Sequence, residues 1–131
     1  MWTDKYIGIP FKKNGNDLTG LDCWRLVVKV YENELNIKLP ERAGVYPDTS
    51  DDSQREVCRQ INEEKEKWQI VTTPKPFDVV LLRMGKWIIH CGIIVNKSQM
   101  MHTSEGINVS IESYTGMDWK NRVEGYYRYA G

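Results

Sequence analysis

The sequence predicts an α+β domain in which helices come first and pack on one face of an antiparallel sheet. Three observations lead there. Residues 22 to 36 carry apolar positions at helical spacing, residues 50 to 68 repeat that spacing more weakly among charges, and after Pro74 and Pro76 the chain turns to short apolar runs. Helices followed by strands suit a layered α+β arrangement.

The first 22 residues hold Gly8, Pro10, Gly15 and Gly20 among polar side chains and read as a looped arm. Asp22 is a good N-cap, and Cys23, Leu26, Val27 and Val30 follow at i, i+3, i+4 and i+7. This helix is expected to end near Asn36, ahead of Pro40. A second helix is expected between about Ser50 and Trp68, capped by serines and aspartates and continued through Val57 and Ile61. Its Glu63 to Lys67 run reads as a solvated face. The runs DVVLLRM, KWIIHCGIIV, QMMHTS and INVSIES, separated by Met84-Gly85, Asn96-Lys97-Ser98 and Glu105-Gly106, predict an antiparallel meander. A short helical turn near Trp119 and a last strand from Tyr126 to Tyr129 complete the chain.

A length of 131 residues fits a single domain over 1–131. Eighteen basic residues balance eighteen acidic ones, so no basic stripe is available for a nucleic acid. The opening MWTDKYIGIPF has no basic start followed by an apolar run, and no stretch approaches the roughly 20 apolar residues of a membrane span. The expectation is a chain without a signal peptide of its own, and no membrane or nucleic-acid partner. Cys23, Cys58 and Cys91 are odd in number and lack paired spacing, which argues against a disulfide framework.

The chemistry concentrates at Cys23. A thiol at a helix N-terminus faces unpaired backbone N–H groups and the positive end of the dipole, which stabilise the reactive thiolate. The same N–H groups suit the oxyanion formed when a thiolate attacks a carbonyl. A nucleophile needs a base, and the two histidines, His90 and His102, flank one predicted turn. With Asn96-Lys97-Ser98 as the loop, Gly92 faces His102, and His90 lies one diagonal step away on the same sheet face. A two-residue turn would instead put the rings on opposite faces. In the first register His90 accepts the Cys23 proton and His102 orients His90. The plainer reading is two strand histidines satisfied by backbone groups.

The segments GIPFKKNGNDLTGLDCWRLVVKVY (8 to 31), PFDVVLLRMGKWIIHCGIIVNKSQMMHT (76 to 103) and WKNRVEGYYRY (119 to 129) resemble the NlpC-type family of papain-like cysteine peptidases. The aromatic Trp24 after Asp22-Cys23 is similar to the branch found in phage tail assembly. The resemblance implies a papain-like fold, with Cys23 as nucleophile, His90 as base and His102 as the third residue, and with no cofactor and no metal. It implies hydrolysis of peptide bonds in bacterial cell-wall stem peptides, with peptidoglycan or a protein as substrate, other phage tail proteins as partners and the virion tail tip as location. Asp22, Phe11 and Trp24 are the expected substrate-binding or oxyanion residues. Phe11 stands where the family usually has a tyrosine, and Trp24-Arg25 replace a small pair, which should reshape the groove.

Two other readings compete. Three cysteines and two histidines could supply four zinc ligands, but there is no CxxC or HxxxH, and adjacent His90 and Cys91 point to opposite faces of a strand. Cys91 then reads as a core residue, Cys58 as a small helical one, and Asp78 as a turn former. The alternative function is a weak or inactive peptidase-fold protein with a structural role in tail assembly, favoured by the missing hydroxyl at Phe11.

Overall fold

The computed structural model describes residues 1–42 and 51–131. The N-terminal arm is more regular than a loop. It forms a 3-10 turn over Trp2–Lys5 and a two-stranded ribbon, β1 (Asn16–Asp17) with β2 (Gly20–Leu21). Gly15 and Gly20 permit this ribbon, because a Cβ on Gly15 would lie 2.4 Å from the Gly20 carbonyl oxygen. The arm delivers the chain to Asp22.

Helix α1 (Cys23–Leu35) starts and stops where its sequence signals lie. Asp22 accepts a hydrogen bond from the Arg25 N–H at 2.9 Å, and Asn36 closes the helix in the left-handed region at φ 56°. Its buried face, including Leu26, Val27, Val30 and Tyr31, packs on the sheet. Helix α2 (Asp51–Lys65) follows, and the expected Ser50 start lies outside the described residues. The expected solvated run is corrected at Glu64. That side chain is buried, accepting from Trp68 Nε1 at 2.9 Å and pairing with Arg42 at 3.0 Å, so its charge is compensated rather than hydrated.

Trp68 belongs to a strand rather than to the end of a helix. β3 (Trp68–Val71) pairs with β8 (Val123–Tyr129), where Tyr129 and Tyr31 pack around the indole. Between them in sequence run β4 (Val79–Met84), β5 (Trp87–Ile94), β6 (Gln99–Ser104) and β7 (Ile107–Ser113), and the six-stranded order is β3-β8-β4-β5-β6-β7. The four-strand meander is as expected, and β8 folds back beside β4 to carry β3 at the edge. The turns at Gly85 and Gly106 use positive φ, 65° and 81°, which glycine adopts without strain.

The sheet separates two apolar layers. On the helix side Val79, Leu81, Cys91, Ile93, Met101 and Val109 join α1. On the other side Val80, Leu82, Ile94 and Met100 are covered by Tyr114 and Trp119. Asp78 is structural, as expected: it accepts from the Lys75 N–H at 2.7 Å and pairs with Arg128 at 2.7 Å. Register in the central hairpin is Ile93↔Met101 and Ile94↔Met100, with the Val95 N–H donating to the Gln99 carbonyl at 2.9 Å. The loop is therefore Asn96-Lys97-Ser98, held by Asn96 Oδ1 accepting from Ser98 and Gln99.

Candidate functional site

With that register, Gly92 faces His102: a Cβ there would lie 3.4 Å from the His102 Cβ. His90 and His102 share the face away from the helices, and His90 Nε2 lies 2.9 Å from His102 Nδ1. Both rings are buried. The β5–β6 ladder runs no further than Ile93↔Met101. Cys23 packs with the helix-side layer and shares a cleft with His90 and Cys91, whose side chains lie on opposite faces of β5.

The electrostatics follow from this placement. The Cys91 S–H hydrogen bond, followed by the hydrogen bond and charge of His90, hold the Cys23 thiol well below its ordinary value against the opposing effect of burial. Cys91 is pushed the other way, first by its bond to Cys23 and then by burial, so it stays the protonated donor. The expected core cysteine thus also touches the reactive one. Burial and the nearby His90 charge lower the His102 pKa, with Glu112 opposing them.

Asp22 is a cap whose carboxylate is enclosed. Its Oδ2 accepts from Arg25 Nη1 at 2.9 Å and from the Asn14 N–H at 3.1 Å. Burial and the adjacent Cys23 charge raise its pKa, against the hydrogen bonds and charge of Arg25. Arg25 itself is buried and bonded to Asn14 Oδ1 at 2.9 Å. As expected, Trp24 and Arg25 both border the groove at Cys23: Trp24 Nε1 donates to the Pro40 carbonyl at 2.8 Å, and Arg25 also holds the helix start. With the Arg25 N–H capped and the Leu26 N–H bonded to the Asp22 carbonyl, the N–H groups of Cys23 and Trp24 remain in the first turn, which has no intrahelical acceptors.

A cleft of about 630 Å³ opens onto Cys23 and His90, bounded by Trp24, Gln60, Ile61 and Thr103 among others. Phe11 bridges to Leu21 in the arm and does not line this cleft.

Two residues at the site escaped the sequence reading. His102 Nε2 is hydrogen-bonded to Glu112 Oε2 on β7. Trp119, which the sequence marked as the place of a short turn, packs on the histidines: its ring stacks over His90 at 5.5 Å and meets His102 edge-on at 5.2 Å. Nothing in local spacing marks Trp119. Glu112 is an acidic residue in an otherwise apolar and small strand, and that was its only signal.

A helical cysteine set against a histidine on an antiparallel sheet defines a papain-like thiol–imidazole arrangement on an α+β fold. The chain belongs to the NlpC/P60 family, whose model matches residues 8–128. It is 24% identical over 115 residues to the murein DD-endopeptidase MepS/murein LD-carboxypeptidase of Escherichia coli K12, covering 88% of this chain and 53% of that protein. The chain thus spans about half the length of the curated relatives it matches. Among crystal structures, the NlpC/p60 domain of the peptidoglycan hydrolase SagA aligns at TM-score 0.63 and 19% identity, covering 97% of this chain and 92% of that one. A NlpC/P60 family protein from Bacillus cereus aligns at 0.70 and 15% identity, covering 96% and 37%.

Proposed function

We propose that this protein is a cysteine peptidase that hydrolyses peptide bonds in the stem peptides of bacterial peptidoglycan. The observation that carries the reading is Cys23 at the start of α1 lining one cleft with His90, with His90 Nε2 2.9 Å from His102 Nδ1. The murein and peptidoglycan activities named for its relatives support the substrate class.

In this reading the Cys23 thiolate attacks the scissile carbonyl carbon, and the first-turn N–H groups receive the oxyanion. His90, holding the proton that left Cys23, gives it to the departing amine as the C–N bond breaks. Water then attacks the thioester with His90 as base, releasing the acid and restoring the thiol. His102 orients His90, and Trp24 and Asp22 shape the groove beside the nucleophile. The similarity of Asp22-Cys23-Trp24 to the phage tail-assembly branch supports a place at the virion tail tip, after synthesis in the bacterial host, alongside other tail proteins.

Wild type and Cys23→Ala incubated with purified peptidoglycan test the hydrolase. The expected result is soluble peptide-bearing fragments, identified by mass, from wild type alone. Identical products from both would refute it. If fragments are absent from both while the protein is found in purified tails, the Phe11-based alternative of a structural tail protein is favoured instead.

A further inference from the structure

Glu112 does more than accept one hydrogen bond. An ionised carboxylate has no proton to donate, so His102 Nε2 must be the donor in their contact. A neutral His102 that carries its proton on Nε2 has a lone pair on Nδ1. That atom lies 2.9 Å from His90 Nε2, which must therefore donate to it. With Nε2 so committed, a neutral His90 has its lone pair on Nδ1, the nitrogen left for Cys23. We propose that Glu112 is a positioning residue that sets the polarity of the whole Cys23–His90–His102 chain, leaving His90 Nδ1 bare to take the thiol proton.

The direction matters because the opposite one disables the base. If His102 donated from Nδ1, His90 Nε2 would have to accept, and a neutral His90 would present Nδ1–H to the sulfur. With Glu112 in place, a proton passes from Cys23 Sγ to His90 Nδ1 and back without any other hydrogen changing place. The surroundings keep this chain fixed. Trp119 lies against both rings, and its Nε1–H points to Glu112 Oε1 at 3.5 Å. Beyond Trp119, the Arg122 guanidinium sits 5.3 Å from the indole centroid; among the described residues, the charged or titratable groups acting on His102 are His90, Glu112 and Cys23, with Cys91 and Asp22 beside the thiol. No hydrogen bond from Glu112 reaches the nucleophile itself.

The inference rests on Cys23 as nucleophile and His90 as base, and it is tested without any cell-wall substrate. Ring-nitrogen NMR of the wild-type protein reads the tautomers directly. The expected pattern is His102 protonated on Nε2 with a bare Nδ1, and His90 donating from Nε2. Iodoacetamide alkylation of Cys23 across pH then compares wild type with Glu112→Gln and Glu112→Asp. The Gln amide can donate to His102 Nε2 and reverse the chain, so its alkylation rate near neutral pH should fall roughly 10- to 100-fold, the range seen when hydrogen-bond partners that orient metal-bound histidines are removed. Asp keeps an acceptor-only carboxylate and with it the direction of the chain, so Glu112→Asp should retain more of the rate than Glu112→Gln. A wild-type His102 with its proton on Nδ1 would overturn the proposal, even if both variants failed to fold. So would a Glu112→Gln rate and pH profile matching wild type, or equal losses in both variants with unchanged tautomers. Peptidoglycan left uncut by a protein showing the expected pattern would count against the substrate alone.

Discussion

Gly92→Ala probes the spacing of the seam on which the site depends. The added methyl would lie 2.9 Å from Met100 Sδ and 3.4 Å from both the His102 Cβ and Val80 Cγ1. Met100 is fully buried against Leu82, Ile94 and Tyr114, so its flexible side chain must repack inside the core rather than swing into solvent. Overpacking of this kind costs about 1–3 kcal/mol, and removing a glycine from the unfolded chain offsets about 0.4–1 kcal/mol of that. The net loss should be about 1–2 kcal/mol, or roughly 3–7 °C in melting temperature for a chain of this size. The same methyl pushes His102 from β5 by a few tenths of an ångström. The 2.9 Å His90–His102 bond then approaches the length at which such bonds weaken, and losing about 1 kcal/mol of it slows thiol activation by about five-fold. Thermal unfolding and the rate of Cys23 alkylation by iodoacetamide near neutral pH measure the two effects. An unchanged melting temperature would refute the close approach, and a lowered one with an unchanged alkylation rate would refute the link between seam spacing and the thiol.

Three further outcomes are expected. Cys91→Val removes the S–H that favours the Cys23 thiolate, so the midpoint of Cys23 alkylation against pH should rise; an unmoved midpoint would show that the two sulfurs do not interact. Leu26→Ala, at a fully buried position on the inner face of α1, should cost about 2–5 kcal/mol in urea denaturation. The His102 pKa is lowered from 6.5 by burial and by His90, so the unfolded chain takes up that proton first as pH falls. Stability is then complete above pH 6.5 and declines below it, and His102→Asn should flatten the decline just below that value in denaturant midpoints measured against pH.

Local interactions settled what the sequence made legible. Asp22, the apolar spacing that follows it and Asn36 are enough to place Cys23 at the first turn of a helix, because capping and periodicity act within a few residues. Asn96 closes its own three-residue loop, and that loop fixes the parity that puts His90 and His102 on one face with Gly92 between them. The pairing of β3 with β8 was not legible, since Trp68 and Tyr129 are sixty-one residues apart and meet only when the sheet closes.

Glu112 shows the limit most clearly. Ser104 pairs with Ile107 across the Glu105-Gly106 turn, and an unbroken ladder from there would set His102 opposite Val109, with Glu112 on the other face. Instead the register shifts between His102 and Ser104, so that His102 pairs with Ser110 and Met100 with Glu112. One extra residue reverses the parity of the strand and brings the carboxylate to the imidazole. Arg25 was turned inward by the buried Asp22 carboxylate, and Trp119 was laid over the histidines by the return of the chain to β8. The sequence by itself determined the helix, the thiol and the pairing of the histidines, because each depends on neighbours along the chain. Tertiary structure decided which groups surround them, because bulges, buried charges and strand order depend on partners that the chain meets only after it has folded.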